Sequence, residues 1–339
     1  MIRFENDYLC GAHPRILSRL IETNDIQTPG YGADDFCKRA EDIIKNECNA
    51  PDADVHFLSG GTQTNLTIIA SILRPHESVL APSTGHIAVA ETGAIEATGH
   101  KVQTIQTNNG KISADEIDLI LSAPANVHAP KPGLIFISQS TELGDIYTLK
   151  EMKAISKVAR TYDIPLFIDG ARLGYALASS ACDFTLKDIA RLTDVFYIGG
   201  TKVGALFGEA VVITNDKLKR DFKYIMKQRG GLFAKGRILG LQFEELFTDG
   251  LYLEISNYAV KLAVKIKNVL ESKNISLKHH SSTNQLFIEF TNEQFDELSK
   301  NYFMITISRN DTHTTARLVT SWSTKEEHVD ALIRDILAL

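Results

Sequence analysis

The middle of the chain alternates short apolar runs with amphipathic stretches. Val55-His56-Phe57-Leu58, Ser78-Val79-Leu80-Ala81, Lys101-Val102-Gln103-Thr104-Ile105, Leu134-Ile135-Phe136-Ile137 and Leu166-Phe167-Ile168 read as strands. So do Val195-Phe196-Tyr197-Ile198 and Ala210-Val211-Val212-Ile213. Several are apolar on both faces, the pattern of strands covered by helices on either side. Between them, apolar positions fall at helical spacing over Asp34 to Glu47, Thr64 to Leu73, Ala114 to Leu121, Leu149 to Tyr162 and Thr185 to Arg191. Thr148 and Glu151 stand at capping-box spacing at the start of one. This alternation predicts an α/β fold with a mostly parallel sheet and right-handed crossovers.

From about Asp216 the pattern changes to long helices interrupted by Gly230-Gly231. Leu251 to Lys273 reads as one long amphipathic helix that bridges to a smaller unit. There, Leu286-Phe287-Ile288-Glu289-Phe290 and Ala316-Arg317-Leu318-Val319-Thr320 read as strands, and Ser323 to Leu337 as a closing helix. The expected organisation is a large α/β domain over residues 1–250, including the N-terminal segment, and a small α+β domain over 251–339. No internal repeat or low-complexity tract is visible.

Composition narrows the classes. With 44% hydrophobic and 23% charged residues in a chain of 339, the protein is globular and long enough to bury a large core. The balance of 36 basic against 42 acidic residues, a net charge of −6, argues against a nucleic-acid partner, whose phosphates must be neutralised. No apolar run reaches the roughly 18 residues of a spanning helix. The first residues carry no apolar signal region, so the expectation is a cytoplasmic protein without membrane partners. Cys10, Cys37, Cys48 and Cys182 form no Cys-x-x-Cys pair and read as reduced thiols. No histidine has metal-ligand spacing, and no metal is expected.

Three segments carry candidate chemistry. Ser59-Gly60-Gly61-Thr62-Gln63-Thr64-Asn65 follows a strand and opens a helix. Backbone N–H groups and threonine hydroxyls there would suit a phosphate, although a tight turn with a threonine cap explains the same residues. Phe167-Ile168-Asp169-Gly170-Ala171-Arg172 sets an acid at a strand end, where open α/β sheets bind ligands. Asp169 could equally cap the next helix or pair with Arg172. Tyr197-Ile198-Gly199-Gly200-Thr201-Lys202-Val203-Gly204 places a lysine in a poorly hydrating setting that lowers its proton affinity. A surface lysine in a turn is the plain alternative. Together, and in this order, an anion loop, a strand-end acid and a later glycine-flanked lysine are the parts of a pyridoxal-phosphate site.

These residues resemble the threonine aldolase / β-eliminating lyase group of fold-type-I pyridoxal-phosphate enzymes. The resemblance runs through Asp7 with Tyr8, Tyr31-Gly32-x-Asp34, Gly61-Thr62-Gln63-x-Asn65, Gly85-His86, Glu91-x-Gly93, Asp169-Gly170-Ala171-Arg172, Lys202, Gly230-Gly231 and Arg317-Leu318-Val319-Thr320. It implies that Gly61, Thr62 and Thr201 bind the cofactor phosphate, Asp169 the pyridine nitrogen and Lys202 the cofactor aldehyde. It implies that His86 stacks on the ring, and that Arg172 reaches the ring hydroxyl or the substrate carboxylate. Arg317 would clamp that carboxylate with help from Asn6, and Tyr31 would enter the site of a neighbouring subunit in a homodimer or homotetramer.

Two departures stand out. Where the aldolase pattern has Asn-Thr-His after the strand ending at Ile137, this chain has Ser140-Thr141-Glu142. The arginine expected after Gly230-Gly231 is Ala234, with Lys235 beside it. The expected reaction is retro-aldol cleavage of a threonine-like β-hydroxy amino acid to glycine and an aldehyde, with His86 or Glu142 as the base. The alternatives are β-elimination, transamination or racemisation on the same cofactor, or a silent binding protein of the same fold.

Overall fold

A computed structural model describes residues 1–339. After a short strand β1 (Ile2–Arg3), seven strands form the central sheet: β2 (Asp54–Leu58), β3 (Glu77–Pro82), β4 (Lys101–Ile105), β5 (Lys131–Ser138), β6 (Leu166–Asp169), β7 (Val195–Gly199) and β8 (Glu209–Ile213). Their spatial order is β2-β8-β7-β6-β5-β3-β4. Neighbours from β7 to β4 pair in parallel, and β8 is antiparallel to both β2 and β7. The expected mostly parallel sheet is therefore present, and β8 runs against it.

Period-two alternation splits each strand between two cores. Phe57, Ile135, Ile137, Ile168, Phe196 and Val212 face one core, while Leu58, Leu134, Phe136, Phe167, Tyr197 and Val211 face the other. Both faces are apolar because helices cover both. The helix Asp35–Cys48 begins at Asp34, whose side chain accepts the Cys37 N–H, and Leu149–Thr161 begins with the capping box of Thr148 and Glu151.

The C-terminal unit is an antiparallel sheet of β9 (Ser276–Leu277), β10 (Gln285–Thr291), β12 (Ile305–Arg309) and β13 (His313–Val319), in the order β12-β13-β10-β9. The helix Leu251–Ser272 links the two units. Leu251, Tyr252, Ile255 and Ala259 lie in the core of the large sheet, and Leu262, Ala263, Ile266 and Leu270 in the core of the small one. The first residues of the chain also pack here. β1 pairs in parallel with β11 (Tyr302–Phe303), and Phe4 is buried in the small core.

Several boundaries differ from the sequence pattern. The helix expected to start at Thr64 begins at Gly61, because its first turn, Gly61-Thr62-Gln63, shows no apolar stripe yet holds helical backbone. The long helices expected after Asp216 are broken into Asp216–Lys219, Phe222–Gln228 and Arg237–Phe247. Asp221 at φ +61° and Gly230 at φ +77° stand in the left-handed region and end the helical runs. The helix Pro14–Glu22 was not among the expected elements, although Ile16, Leu17, Leu20 and Ile21 fall at helical spacing; of these only Ile16 is buried. No helix is long and apolar enough to cross a membrane.

Candidate active site

Parallel strands end along one edge of the sheet, and a cavity of about 610 Å³ opens there. Asn6, Gly61, Thr62, His86, Glu142, Asp169, Arg172, Thr201, Lys202 and Arg317 all line it. Of the residues singled out from the sequence for a site, Tyr31 alone is not among them. It lies on a turn at φ +59°, 51% exposed, with Lys227 Nζ 4.6 Å above its ring.

Asp169 ends β6 and is almost fully buried. Its Oδ1 accepts the Ala171 N–H at 2.9 Å, and its Oδ2 accepts from Asn65 Nδ2 at 3.1 Å. The glycine after it is obligatory, since a Cβ on Gly170 would lie 1.7 Å from the Tyr197 carbonyl oxygen. Asn65 also donates to Glu91 Oε1 at 2.7 Å, and His86 Nδ1 meets the same oxygen at 2.7 Å. The Glu91 hydrogen bond raises the proton affinity of His86 against the opposing effect of burial. With Nδ1 directed at Glu91, Nε2 has no protein partner.

Lys202 follows β7. Burial lowers its pKa, and the Arg172 guanidinium adds to that, while Asp7, Asp169 and Glu209 act the other way. The result is an amine that gives up its proton more readily than an exposed lysine, as a nucleophile needs. Arg172 donates through Nε and Nη2 to the two oxygens of Asp7 at 2.8 and 3.1 Å. Burial alone would raise the Asp7 pKa, but Arg172 and Lys202 hold it below the ordinary carboxylate value. Asn284 Nδ2 donates to Asp7 Oδ2 at 2.9 Å, so this pair joins the N-terminal segment, the large sheet and the small unit.

Arg317, on β13, donates through Nη2 to Asn6 Oδ1 at 2.9 Å and to the Glu5 carbonyl at 3.1 Å. Its Nε is buried without a partner. Glu142 is anchored through Oε1, which accepts the His86 backbone N–H at 2.9 Å and the Ser138 hydroxyl at 2.7 Å. Burial raises its pKa, and its Oε2 has no partner.

Tyr197, Glu209 and Gln285 are among the lining residues to which the sequence pattern assigned no role. The Tyr197 hydroxyl and both amide atoms of Gln285 are buried without partners. Glu209 carried a signal, an acid directly before the all-apolar run Ala210 to Ile213. Tyr197 and Gln285 looked like ordinary strand residues.

A pyridoxal phosphate fits these residues. The helix Gly61–Ile72 has no side-chain cap, so its first N–H groups are free for an anion, and Thr62 and Thr201 stand beside them. The unpartnered Tyr197 hydroxyl and the readily deprotonated Lys202 face the same cavity. The family model described as beta-eliminating lyase matches residues 20–295. The chain belongs to that family and is a pyridoxal-phosphate-dependent lyase of fold type I.

The chain is 31% identical to a low specificity L-threonine aldolase from a Pseudomonas species, over 99% of this chain and 97% of that one. It is 30% identical to the low specificity L-threonine aldolase of Pseudomonas aeruginosa, over 98% and 96%. A solved threonine aldolase from Leishmania major superposes with a TM-score of 0.98 at 44% identity, covering 100% of this chain and 99% of that one.

Proposed function

We propose that this protein cleaves a threonine-like β-hydroxy amino acid to glycine and an aldehyde, with Lys202 carrying pyridoxal phosphate. The relatives named above support the reaction. The observation that carries it is the His86–Glu91 pair, which leaves an imidazole Nε2 free in the cavity that also holds Lys202 and Arg317. Thr62, Thr201 and the first N–H groups of the helix Gly61–Ile72 would hold the cofactor phosphate, and Asp169 would keep the pyridine nitrogen protonated. When bound, the cofactor supplies a sink for the electron pair of the bond that breaks.

The residues of the chain supply the rest. Arg317 would bind the substrate carboxylate in a fork that Asn6 orients, which fixes how the substrate sits in the cavity. His86 Nε2 accepts the β-hydroxyl proton, and Glu91 stabilises the imidazolium that forms. Glu142 does not take that proton. It positions His86 by accepting its backbone N–H, in the place where the family pattern has a histidine. Lys202, facing the same cavity, would take the proton of the incoming substrate ammonium and return it to Cα.

Tyr31, exposed on its turn, reaches the site of a second copy in a homodimer or homotetramer, and the protein acts in the cytoplasm. Incubation with a panel of β-hydroxy amino acids, with glycine measured, tests the reaction. A panel that yields no glycine refutes it.

A further inference from the structure

Glu209 opens β8, and the sheet register sets it between two loops. It pairs with Leu58 on one side and with Gly199 on the other. Leu58 leads into Ser59-Gly60-Gly61-Thr62, and Gly199 into Gly200-Thr201-Lys202. Because β8 is antiparallel to both neighbours, its first residue stands at the edge where they end. The turn that delivers it there uses Gly208 at φ +125°, a backbone conformation side chains rarely adopt. Glu209 is only 3% exposed, lines the cavity with Gly61, Thr62 and Thr201, and accepts the Gly200 N–H through Oε2 at 3.1 Å. Thr201 Oγ1 accepts the Gly208 N–H at 2.9 Å, which ties the loop after β7 to the start of β8, and with Gly61 and Thr62 lining the same cavity the three segments form one cup.

A carboxylate at the floor of a cup built for an anion is a conflict. Two negative groups in one buried site favour protonation of one of them. On the reading that this cup holds the cofactor phosphate, we propose that Glu209 is its proton-bearing floor, taking up a proton from solvent when a dianion seats between the two loops and releasing it when the dianion leaves. The seated anion then meets a hydroxyl donor instead of a like charge. Burial pushes the Glu209 carboxyl up to about 8, against the opposing hydrogen bonds of Thr201 and Gly200 and the charge of Lys202. The charged groups facing it are Lys202 from the loop after β7 and Asp169 from β6. Tyr197 on β7 and Tyr252 on the helix Leu251–Ser272 also feel its charge, and burial keeps both neutral well above the ordinary tyrosine range.

The sign follows. Above about pH 8 Glu209 is ionised before the anion arrives, so seating a dianion consumes a proton. Below that, the proton is already in place and none is taken up. Sulfate is the probe, since it carries no titratable proton in this range. Calorimetry on the cofactor-free full chain, in two buffers of different ionisation heat, counts the protons. At about pH 9 the parent should take up close to one proton per sulfate, and Glu209→Gln close to none. The parent's sulfate Kd should weaken by up to about tenfold per pH unit above that value, and the variant's should stay flat. A second readout needs no variant. Infrared difference spectra of the parent should gain a protonated-carboxyl band on sulfate binding, and the band should shift when the glutamates are labelled with carbon-13. An unchanged proton count in Glu209→Gln, no uptake in the parent, no glutamate band, or no sulfate binding overturns the proposal. Failure of the functional reading shows elsewhere, as pyridoxal phosphate that cannot be fixed on Lys202 by borohydride.

Discussion

His86 Nδ1 lies 2.7 Å from Glu91 Oε1, and the same carboxylate oxygen accepts from Asn65, which also touches Asp169. The contact raises the proton affinity of His86, so the neutral imidazole needed for proton abstraction is present only above its raised pKa. Activity should therefore fall as pH drops through a value higher than that of an ordinary histidine. Glu91→Gln removes the charge, and the acid limb of kcat/KM should move to lower pH. An acid limb that stays in place would show that His86 is not the titrating base.

His86 and Glu142 divide the work differently. His86→Phe keeps a ring in place but removes the base, and retro-aldol turnover should drop by about 10²–10⁴ with the cofactor spectrum intact. Glu142→Gln retains an oxygen that can accept the His86 N–H and should cost less than about tenfold. Equal large losses in both variants would make Glu142 a proton acceptor as well.

Arg317 offers its guanidinium to the cavity with Asn6 on one side. Arg317→Lys keeps the charge but loses the planar fork, and a hydrogen bond to a charged group contributes about 1.5–3 kcal/mol. KM for the amino acid should rise about tenfold or more, and the spectrum without substrate should be unchanged. A parental KM would move the carboxylate clamp to another residue.

The Asp7–Arg172 pair is a stability element as much as a site element. The Asp7 side chain is fully enclosed and that of Arg172 is 12% exposed, so Asp7→Asn leaves a buried charge without its partner. Breaking such a pair destabilises by about 3–5 kcal/mol. The folded pKa of Asp7 is depressed, so its contribution is present above the ordinary carboxylate value and lost as pH falls through the lower folded value. Denaturant melts should show a large gap between Asp7→Asn and the parent at neutral pH, narrowing in acid. A gap that is constant with pH would contradict the assignment.

How far the sequence carried depends on where each signal was written. Asp169 was legible because it ends an apolar strand directly before a glycine, and Lys202 because it stands in a glycine-flanked loop just after one. The two-sided strands of the sheet were legible for the same local reason. The edge strand β12 was not, since four of its five residues are exposed and carry no alternation. The pairing of Arg172 with Asp7 joins residues far apart in the chain, and neither one's neighbours announce it. Glu142 was visible only as a departure, and its bond to the His86 backbone gives the departure a structural role. Glu209 needed the antiparallel direction of β8, which a continuous apolar run cannot reveal.

The measurement that bears most directly on the retro-aldol assignment is the product balance from L-threonine. With pyridoxal phosphate present, the protein should release glycine and acetaldehyde in equal amounts, and Lys202→Ala should release neither. Formation of 2-oxobutyrate with ammonia in place of glycine would show that the Cβ–oxygen bond breaks instead of Cα–Cβ, and would contradict the account.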